Sequence, residues 1–381
     1  MKLPIIQRSR RLKSMGDLPL LTSTTVLILV SLLLLPSHAS AQSTNGPEWD
    51  FYGHLNLGII NVDDGFENNT SLSDNDNSNS RVGLIFKQGL RNGGEFRFHF
   101  ETAVGLTGSS SLNGGDNDLD LRYRRTELRK FEIIYQTPKI GTFSFGQGSI
   151  ATDGIAQSDF SGTALIAYSS VEDQAGSQQF RLSDGTLSNV TVRNAFSAFD
   201  GARRFRVRYD TPKYKGFGLA VSGGREVLTS GNDNEFYDVG LTYDRDYGAY
   251  KIAGRLGYSI RGSSEELLLG SAAVLHEPTG LSLSVAAGRQ QEGDANYGYI
   301  KAGLQRDWFK FGRTHLSVDY YSGDSFGVAG SSSSSAGVSV VQKVDRANLE
   351  IFASYRTFEY DAVGSDFEDL DVTFVGARWR F

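Results

Sequence analysis

Apolar and polar residues alternate along most of this chain, and this pattern limits the possible folds more than any other feature. The terminal stretch "VGARWRF" alternates apolar residues with Arg378 and Arg380, and the same period of two recurs in "EFRFHFE" (95–101) and "RFRVRY" (204–209). Successive side chains of a strand point to opposite faces, so the alternation predicts β-strands with one apolar and one polar face. Even the last residue, Phe381, is therefore expected to lie in a sheet.

The links between these segments are of two kinds. Short links have the Gly, Pro, Asn and Asp composition of tight turns, as in "QTPKIG", "DTPKYKG" and "HEPTG", and they alternate with longer polar links. We predict sixteen strands, an even number that allows an antiparallel sheet to close without free edges. Their predicted ranges are 48–62, 80–88, 94–106, 121–135, 141–148, 202–210, 216–225, 235–245, 249–260, 266–276, 280–290, 296–307, 312–322, 338–344, 348–358 and 370–381.

The residue types on the two faces indicate what surrounds the sheet. The polar faces carry Arg, Glu and His, which is typical of a wet lumen, and aromatic residues gather near strand ends as they do at membrane interfaces. A sheet that covers a soluble core would also alternate, but the modest hydrophobic fraction of 39% fits a barrel with a polar interior better. The predicted fold is all-β: a closed antiparallel transmembrane β-barrel of 16 strands.

The N-terminus has the pattern of a secretory signal peptide. Basic residues precede an apolar run from Val26 to Leu35, and "ASA" follows at Ala39–Ala41. The run is shorter than the roughly 20 residues of a spanning helix, so we expect cleavage of residues 1–41 and a single barrel domain over 42–381. Cleavage removes five of the 38 basic and one of the 44 acidic residues, so the formal net charge falls from −6 to −10. This balance argues against a nucleic-acid partner.

One link, residues 149–201, is far longer than the others, and we call it the third loop. A connection of about fifty residues without predicted structure usually has a function. It is acidic and contains the apolar patch "TALIAY". We expect the patch to anchor the loop against the inner wall, folded into the lumen, while acidic side chains face the water. Its acidic residues include Asp153, Asp159, Glu172 and Asp173.

Several pieces, in this order, resemble the general porins of Gram-negative bacteria. They are "FYGHLNLGI", "SRVGLIFKQGLRNGGEFRFHFE", "RRTELRKFEIIYQTPKIGTFSFGQGS", "RFRVRYDTPKYKGFG" and the terminal "RWRF". The resemblance covers nearly all of residues 42–381. It implies a homotrimer in the outer membrane, reached through the periplasm, that forms a water-filled channel for passive diffusion of small hydrophilic solutes and ions. It also implies that the third loop narrows the pore and that its acids face a basic wall.

The resemblance, together with strand parity, assigns residues to that wall. The expected pore-lining basic residues are Arg81, Arg97, Arg124, Arg204, Arg206 and Arg208. Arg129 has the parity of the outward face unless a bulge intervenes. The resemblance further implies that the barrel-insertion machinery reads the terminal aromatics, Trp379 and Phe381, and that the remaining partners are outer-membrane lipid and the solutes.

Two other functions remain open from the sequence. One is a substrate-selective channel of the same fold, for sugars or anions, and the other is an adhesive or structural barrel with a plugged lumen. An enzyme is not expected, because the histidines are scattered without metal-ligand spacing and no nucleophile motif is present. We expect no cofactor and no metal. The acidic stretch "DNDNSN" (74–79) lacks the spacing of a helix–loop–helix calcium site.

Overall fold

The computed structural model describes residues 46–113, 119–262 and 264–381, so the predicted signal peptide lies outside the described residues. This part of the chain forms nineteen strands and one short helix, α1 (Val192–Ala195). The strands are β1 (Glu48–Asp63), β2 (Asn68–Asp74), β3 (Arg81–Gly89), β4 (Glu95–Ala103), β5 (Leu128–Thr137), β6 (Gly141–Ser149), β7 (Gln179–Arg181), β8 (Leu187–Thr191), β9 (Arg203–Asp210), β10 (Phe217–Arg225), β11 (Glu235–Tyr247), β12 (Tyr250–Arg261), β13 (Glu265–His276), β14 (Leu281–Gln290), β15 (Asn296–Phe309), β16 (Gly312–Asp324), β17 (Ser332–Val344), β18 (Leu349–Asp361) and β19 (Leu370–Arg380). None of the helices described there is long and apolar enough to cross a membrane.

Seventeen of these strands form one antiparallel sheet that closes on itself. Each strand pairs with its neighbours along the chain, β6 pairs with β9, and β1 pairs with β19, with Leu55 opposite Trp379. Both β2 and β3 pair with β1, so together they act as one interrupted barrel strand. The barrel therefore has sixteen strands, and the predicted fold is confirmed. The hairpin β7–β8 lies within the third loop and forms a separate small sheet.

Three strand boundaries differ clearly from the prediction. The second barrel strand starts at Asn68 in β2 instead of residue 80, because residues 68–74 pair with β1. The fourth barrel strand starts at Leu128 instead of residue 121, because residues 125–127 form a 3-10 turn first. β17 starts at Ser332 instead of residue 338, so the serines at 332–335 belong to the strand. Its backbone pairs on both sides, with β16 and with β18, and the hydroxyl of Ser335 donates to the carbonyl of Thr357 at 2.7 Å. Small side chains with local hydrogen bonds thus replace apolar packing in this strand.

The alternation of faces follows the sequence, but the interior is not polar throughout. On β16, Val318 and Tyr320 are exposed on the outside while Asp319 and Tyr321 are buried inside. A hydrophobic core also forms inside the barrel, between the third loop and the inward side chains of β13–β19. Members of this core are Ile166, Phe180, Phe196, Leu267, Leu269, Tyr321, Phe352 and Phe374. The polar lumen is therefore filled in part by the third loop, whose apolar residues pack against inward side chains of the wall.

The last residue is held in the sheet. The backbone N–H of Phe381 donates to the carbonyl of Gly53 at 3.1 Å, and its carbonyl accepts from the N–H of Gly53 at 3.0 Å. Its ring lies beside those of Phe51 and Trp379, at centroid distances of 6.1 and 5.3 Å. A Cβ at Gly53 would meet the Phe381 ring at 2.6 Å, so glycine there makes room for the terminal ring.

Candidate functional site

A polar cavity of about 560 Å³ lies inside the barrel, between the third loop and one side of the wall. Most of its charged lining comes from two sources, and Asp76, which lies between β2 and β3, adds one more acidic residue. The third loop contributes the acidic side chains Asp153, Glu172, Asp173 and Asp200, and the wall strands contribute the basic side chains Arg81, Arg129, Arg203 and Arg261. Opposite charges from two different elements thus line one water-accessible space.

One carboxylate and one amide organise two of the wall arginines. Glu101 on β4 accepts from Nε of Arg129 at 2.7 Å, and Nη1 of Arg81 lies 3.7 Å from the same oxygen. The side-chain oxygen of Asn79 accepts from both guanidinium groups, at 3.1 Å from Arg81 and 3.0 Å from Arg129. The hydroxyl of Tyr52 donates to the other oxygen of Glu101 at 2.7 Å. Two positive charges share one negative charge, so this part of the wall keeps a net positive charge.

A β-bulge brings Arg129 to the inner face. Glu101 is opposite Lys130, whereas the next residue, Thr102, is opposite Leu128, so Arg129 is the extra residue of β5. A bulge re-aims a side chain without ending the sheet. The simple alternation gives Arg129 the outward face, and the sequence alone carries no signal for where the bulge occurs.

The wall arginine Arg261 clamps the end of the third loop. Its Nη2 donates to the backbone carbonyls of Phe199 and Asp200, both at 2.8 Å. Phe199 has φ of 53°, in the left-handed region that bulky side chains rarely adopt. Such a conformation persists only where the surroundings hold it. The clamp from Arg261 and the packing of the Phe199 ring against Tyr297 and Phe326 supply that support.

Asp200 ties the two ends of the third loop together. Its carboxylate accepts hydrogen bonds from the backbone of Gly154 and Ala156, both at 2.9 Å, and from the side chain of Gln157 at 2.8 Å. Burial raises the pKa of Asp200 to about 7, and the nearby charge of Asp153 acts in the same direction. Near neutral pH this carboxyl group is therefore only partly ionised.

A second titratable pair lies on the 3-10 turn Val171–Asp173. Burial raises the pKa of Asp173 to about 7, although the hydrogen bond from the hydroxyl of Tyr168 lowers it in part. Burial and the neighbouring Asp173 charge raise the pKa of Glu172 well above its usual value. The acidic side of the cavity therefore gains much of its charge only as pH rises through neutrality, whereas the arginines keep theirs.

Asp159 lies away from the cavity, in contact with the opposite wall. Nζ of Lys301 on β15 donates to Asp159 at 3.0 Å and to the carbonyl of Ala167 at 2.6 Å. The Lys301 and Asp159 side chains are only 1% and 8% exposed. Hydrogen bonds from Ser161 and Ser284 complete the surroundings of the carboxylate. The pair attaches the third loop to the wall, and the sequence does not predict it because Lys301 and Asp159 are 142 residues apart.

The remaining predicted residues divide by location. Arg81, Asp153, Glu172 and Asp173 line the cavity. Arg97, Arg206 and Arg208 line a different pocket of about 350 Å³. Each of these three pairs with an acid: Arg97 with Glu95, Arg206 with Glu132 at 2.5 Å and Arg208 with Asp210 at 2.7 Å.

Arg204 and Arg124 lie outside both pockets. Arg204 turns toward Glu226 at 3.4 Å and stacks over the ring of Phe236 at 4.4 Å. Arg124 is exposed and precedes the turn at 125–127. The cavity instead contains Arg203, the residue directly before the predicted arginine row. Arg203 lies where the alternating pattern ends, so the sequence does not indicate on which face of the sheet its side chain lies.

Comparisons with known proteins agree on one fold. A family model described as "Gram-negative porin" matches residues 23–363. The anion-selective porin from Comamonas acidovorans is 14% identical, with a TM-score of 0.58, over 88% of this chain and 100% of that chain. OprB of Pseudomonas putida is 11% identical, with a TM-score of 0.59, over 88% and 94%. The trimer form of in-vitro folded OmpT of Vibrio cholerae is 13% identical, with a TM-score of 0.53, over 88% and 100%. No curated protein matches the chain.

Proposed function

The chain belongs to the Gram-negative porin family and is an outer-membrane channel for passive diffusion, and on that premise we propose that the third loop narrows this channel to the polar cavity. The observation that carries the proposal is the placement of loop acids and wall arginines around one space of about 560 Å³. Small hydrophilic solutes and ions pass through this space, and larger solutes are excluded by its size.

The charged lining acts on solutes by its transverse field. Acidic groups on the loop side and guanidinium groups on the wall side orient water and polar solutes between them. An apolar solute has to displace this ordered water without replacing its interactions. Each charge acts more strongly here than at an open surface, because the walls have a low dielectric constant.

A preference for anions near neutral pH is the second candidate. Asp173 and Asp200 have pKa values of about 7 and are half neutral there, whereas the arginines remain charged. Selectivity for sugars, which would use a row of aromatic rings along the lumen, has less support. The inward rings of Tyr297 and Tyr321 are buried against the third loop instead of lining open space.

The rest of the expected biology follows from the family. We propose a homotrimer, the state in which the Vibrio cholerae neighbour is described, and removal of residues 1–41 on export. Trp379 and Phe381 would be read by the insertion machinery, and lipid would contact the exposed apolar side chains of the outer face. The channel performs no chemical reaction on its solutes.

The test is reversal potential across a planar bilayer under a low-salt KCl gradient. Arg129→Gln removes a wall charge and is expected to shift selectivity toward cations, whereas Asp153→Asn is expected to shift it toward anions. Arg204→Gln is the matched control, because this arginine lies outside the cavity. Reversal potentials that are equal in all three variants and the wild type would show that the cavity does not control permeation.

A further inference from the structure

The second barrel strand is broken, and the break protrudes into the lumen. β2 ends at Asp74, opposite Leu57 of β1, and β3 begins at Arg81, opposite His54. Two residues of β1 therefore span the gap, whereas six residues, 75–80, fill it on the other strand. The excess has to leave the sheet, and residues 76–79 line the polar cavity. We call residues 75–79 the strand insert.

Buried hydrogen bonds hold the base of the strand insert. The carboxylate of Asp74 accepts from the backbone N–H of Ser80 at 2.9 Å and from its hydroxyl at 2.7 Å. The backbone N–H of Asn56 donates to the same hydroxyl at 2.8 Å, and its carbonyl accepts from the N–H of Asn75 at 2.9 Å. Asn56, Asn75 and Ser80 have no exposed surface. The insert is thus a built element and not a frayed loop.

The upper part of the strand insert is fixed by the inner wall. The imidazole of His54 hydrogen-bonds to the backbone carbonyl of Asn79 at 2.9 Å, and the amide of Asn56 donates to the carbonyl of Ser78 at 2.8 Å. The guanidinium of Arg378 donates to the Ser78 hydroxyl at 3.0 Å. Since Asn79 also accepts from two wall arginines, the insert is joined directly to the basic side of the cavity.

The strand insert also meets the third loop. The side chain of Asn75 donates to the carbonyl of Leu165 at 2.9 Å. The carboxylate of Asp76 accepts from the backbone and the hydroxyl of Ser110, at 2.9 and 2.6 Å. The neighbouring hydroxyl of Ser109 donates to the carbonyl of Asp173 at 2.6 Å. The insert, the start of the second long loop and the third loop therefore form one connected rim around the cavity.

We propose that the strand insert is a second constriction element, which sets the size limit of the channel jointly with the third loop. This inference rests on the proposed function, because it assigns a further part of the same narrow space. Asn77, Ser78 and Asn79 add uncharged hydrogen-bonding groups to the charged lining of the cavity. Such a rim suits neutral hydrophilic solutes, which exchange hydrogen bonds with it while they pass.

Single-cysteine labelling tests the proposal cleanly, since the chain contains no cysteine. Asn77→Cys is treated with a bulky neutral thiol reagent, and single-channel conductance is measured before and after. Asp153→Cys is the positive control on the third loop. Asn68→Cys is the matched control, because Asn68 is exposed on β2 and shares the outward parity of Leu72. We expect labelling at residue 77 to lower conductance about twofold or more, because the label fills much of a narrow aqueous path, and labelling at 68 to leave it unchanged.

The outcomes separate the inference from the proposed function. If labelling reduces conductance at residue 153 and not at residue 77, the strand insert is not part of the constriction, although the third loop is. If labelling at neither site reduces conductance, the cavity itself is not the narrow part of the channel. Asn77→Gly provides a second readout without a label: it is expected to raise conductance and to admit larger neutral sugars, and an unchanged exclusion limit would overturn the inference.

Discussion

Raising the pH should turn the selectivity of this channel toward cations. Asp173 and Asp200 have pKa values of about 7, raised mainly by burial. A raised pKa keeps a carboxyl group neutral at low pH, so both groups gain their negative charge as pH rises through 7. Both are mainly neutral at pH 5 and mainly ionised at pH 9, while the guanidinium groups stay charged over this range. The loop therefore gains close to two negative charges, and the wall loses none.

The size of the effect follows from Coulomb's law. A cation that passes about 4 Å from one ionised carboxylate gains about 1 kcal/mol even with the dielectric constant of bulk water, and more in a narrow lumen. Because about 1.4 kcal/mol corresponds to a tenfold ratio, each ionised group should raise the cation-to-anion permeability ratio by about fivefold or more. The effect should shrink as the screening length falls from about 10 Å at 0.1 M to about 3 Å at 1 M salt.

The assay is reversal potential under a KCl gradient in planar bilayers, at pH 5, 7 and 9 and at low salt. The acidic and basic groups near Asp200 are Asp153, Glu172 and Arg261, and those near Asp173 are Glu172, Asp76, Arg193 and Arg203. The double variant Asp173→Asn/Asp200→Asn should give a much flatter pH profile. A wild-type reversal potential that stays constant from pH 5 to 9, or a double variant with the full wild-type change, would refute this reasoning.

Three further predictions follow from the contacts. Arg203→Gln should shift the reversal potential toward that of a cation-selective channel, whereas Arg204→Gln should change it little, since Arg204 pairs with an acid outside the cavity. Equal shifts in the two variants would contradict the placement of Arg203 in the cavity and of Arg204 outside it. Lys301→Met should destabilise the barrel by about 3–5 kcal/mol in denaturant unfolding, because it leaves the buried Asp159 uncompensated, and Asp159→Asn in the same chain should restore part of the loss. Deleting Phe381 should lower the membrane-inserted yield in cells more than refolding in detergent, since one partly buried ring contributes only about 1.5–3 kcal/mol; equal losses in both assays would disprove it.

The fold could be predicted because its signals are local. Period-two alternation and turn residues specify each hairpin without reference to the rest of the chain, and the closing pair β1–β19 follows from an even strand number. The predicted strand boundaries were wrong where backbone pairing, and not apolar alternation, determines the strand. The serines at the start of β17 form strand through their backbone and hydroxyl groups, and the break at 75–80 is specified by contacts distant in sequence.

The site was less predictable because tertiary contacts place its residues. Asp153 and Arg81 line the cavity, whereas Arg129 reaches it through a bulge that no residue type in the sequence indicates. Asp159 forms a salt bridge with Lys301, which lies 142 residues further along the chain. The hydrophobic core inside the barrel likewise depends on where the third loop folds, since inward rings such as that of Tyr321 would otherwise face water.

The most direct test of the central claim is excision of the third loop. The N–H of Gly201 donates to the carbonyl of Thr152 at 3.2 Å, so a short Gly-Ser link can replace residues 154–199 without separating the strands. Single-channel conductance of this variant in a planar bilayer should rise several-fold. The pH dependence of the reversal potential should largely disappear, because Asp173 is removed and Asp200 loses the buried surroundings that raise its pKa. A folded variant with wild-type conductance and selectivity would contradict the claim that loop acids and wall arginines form the narrow part of the channel.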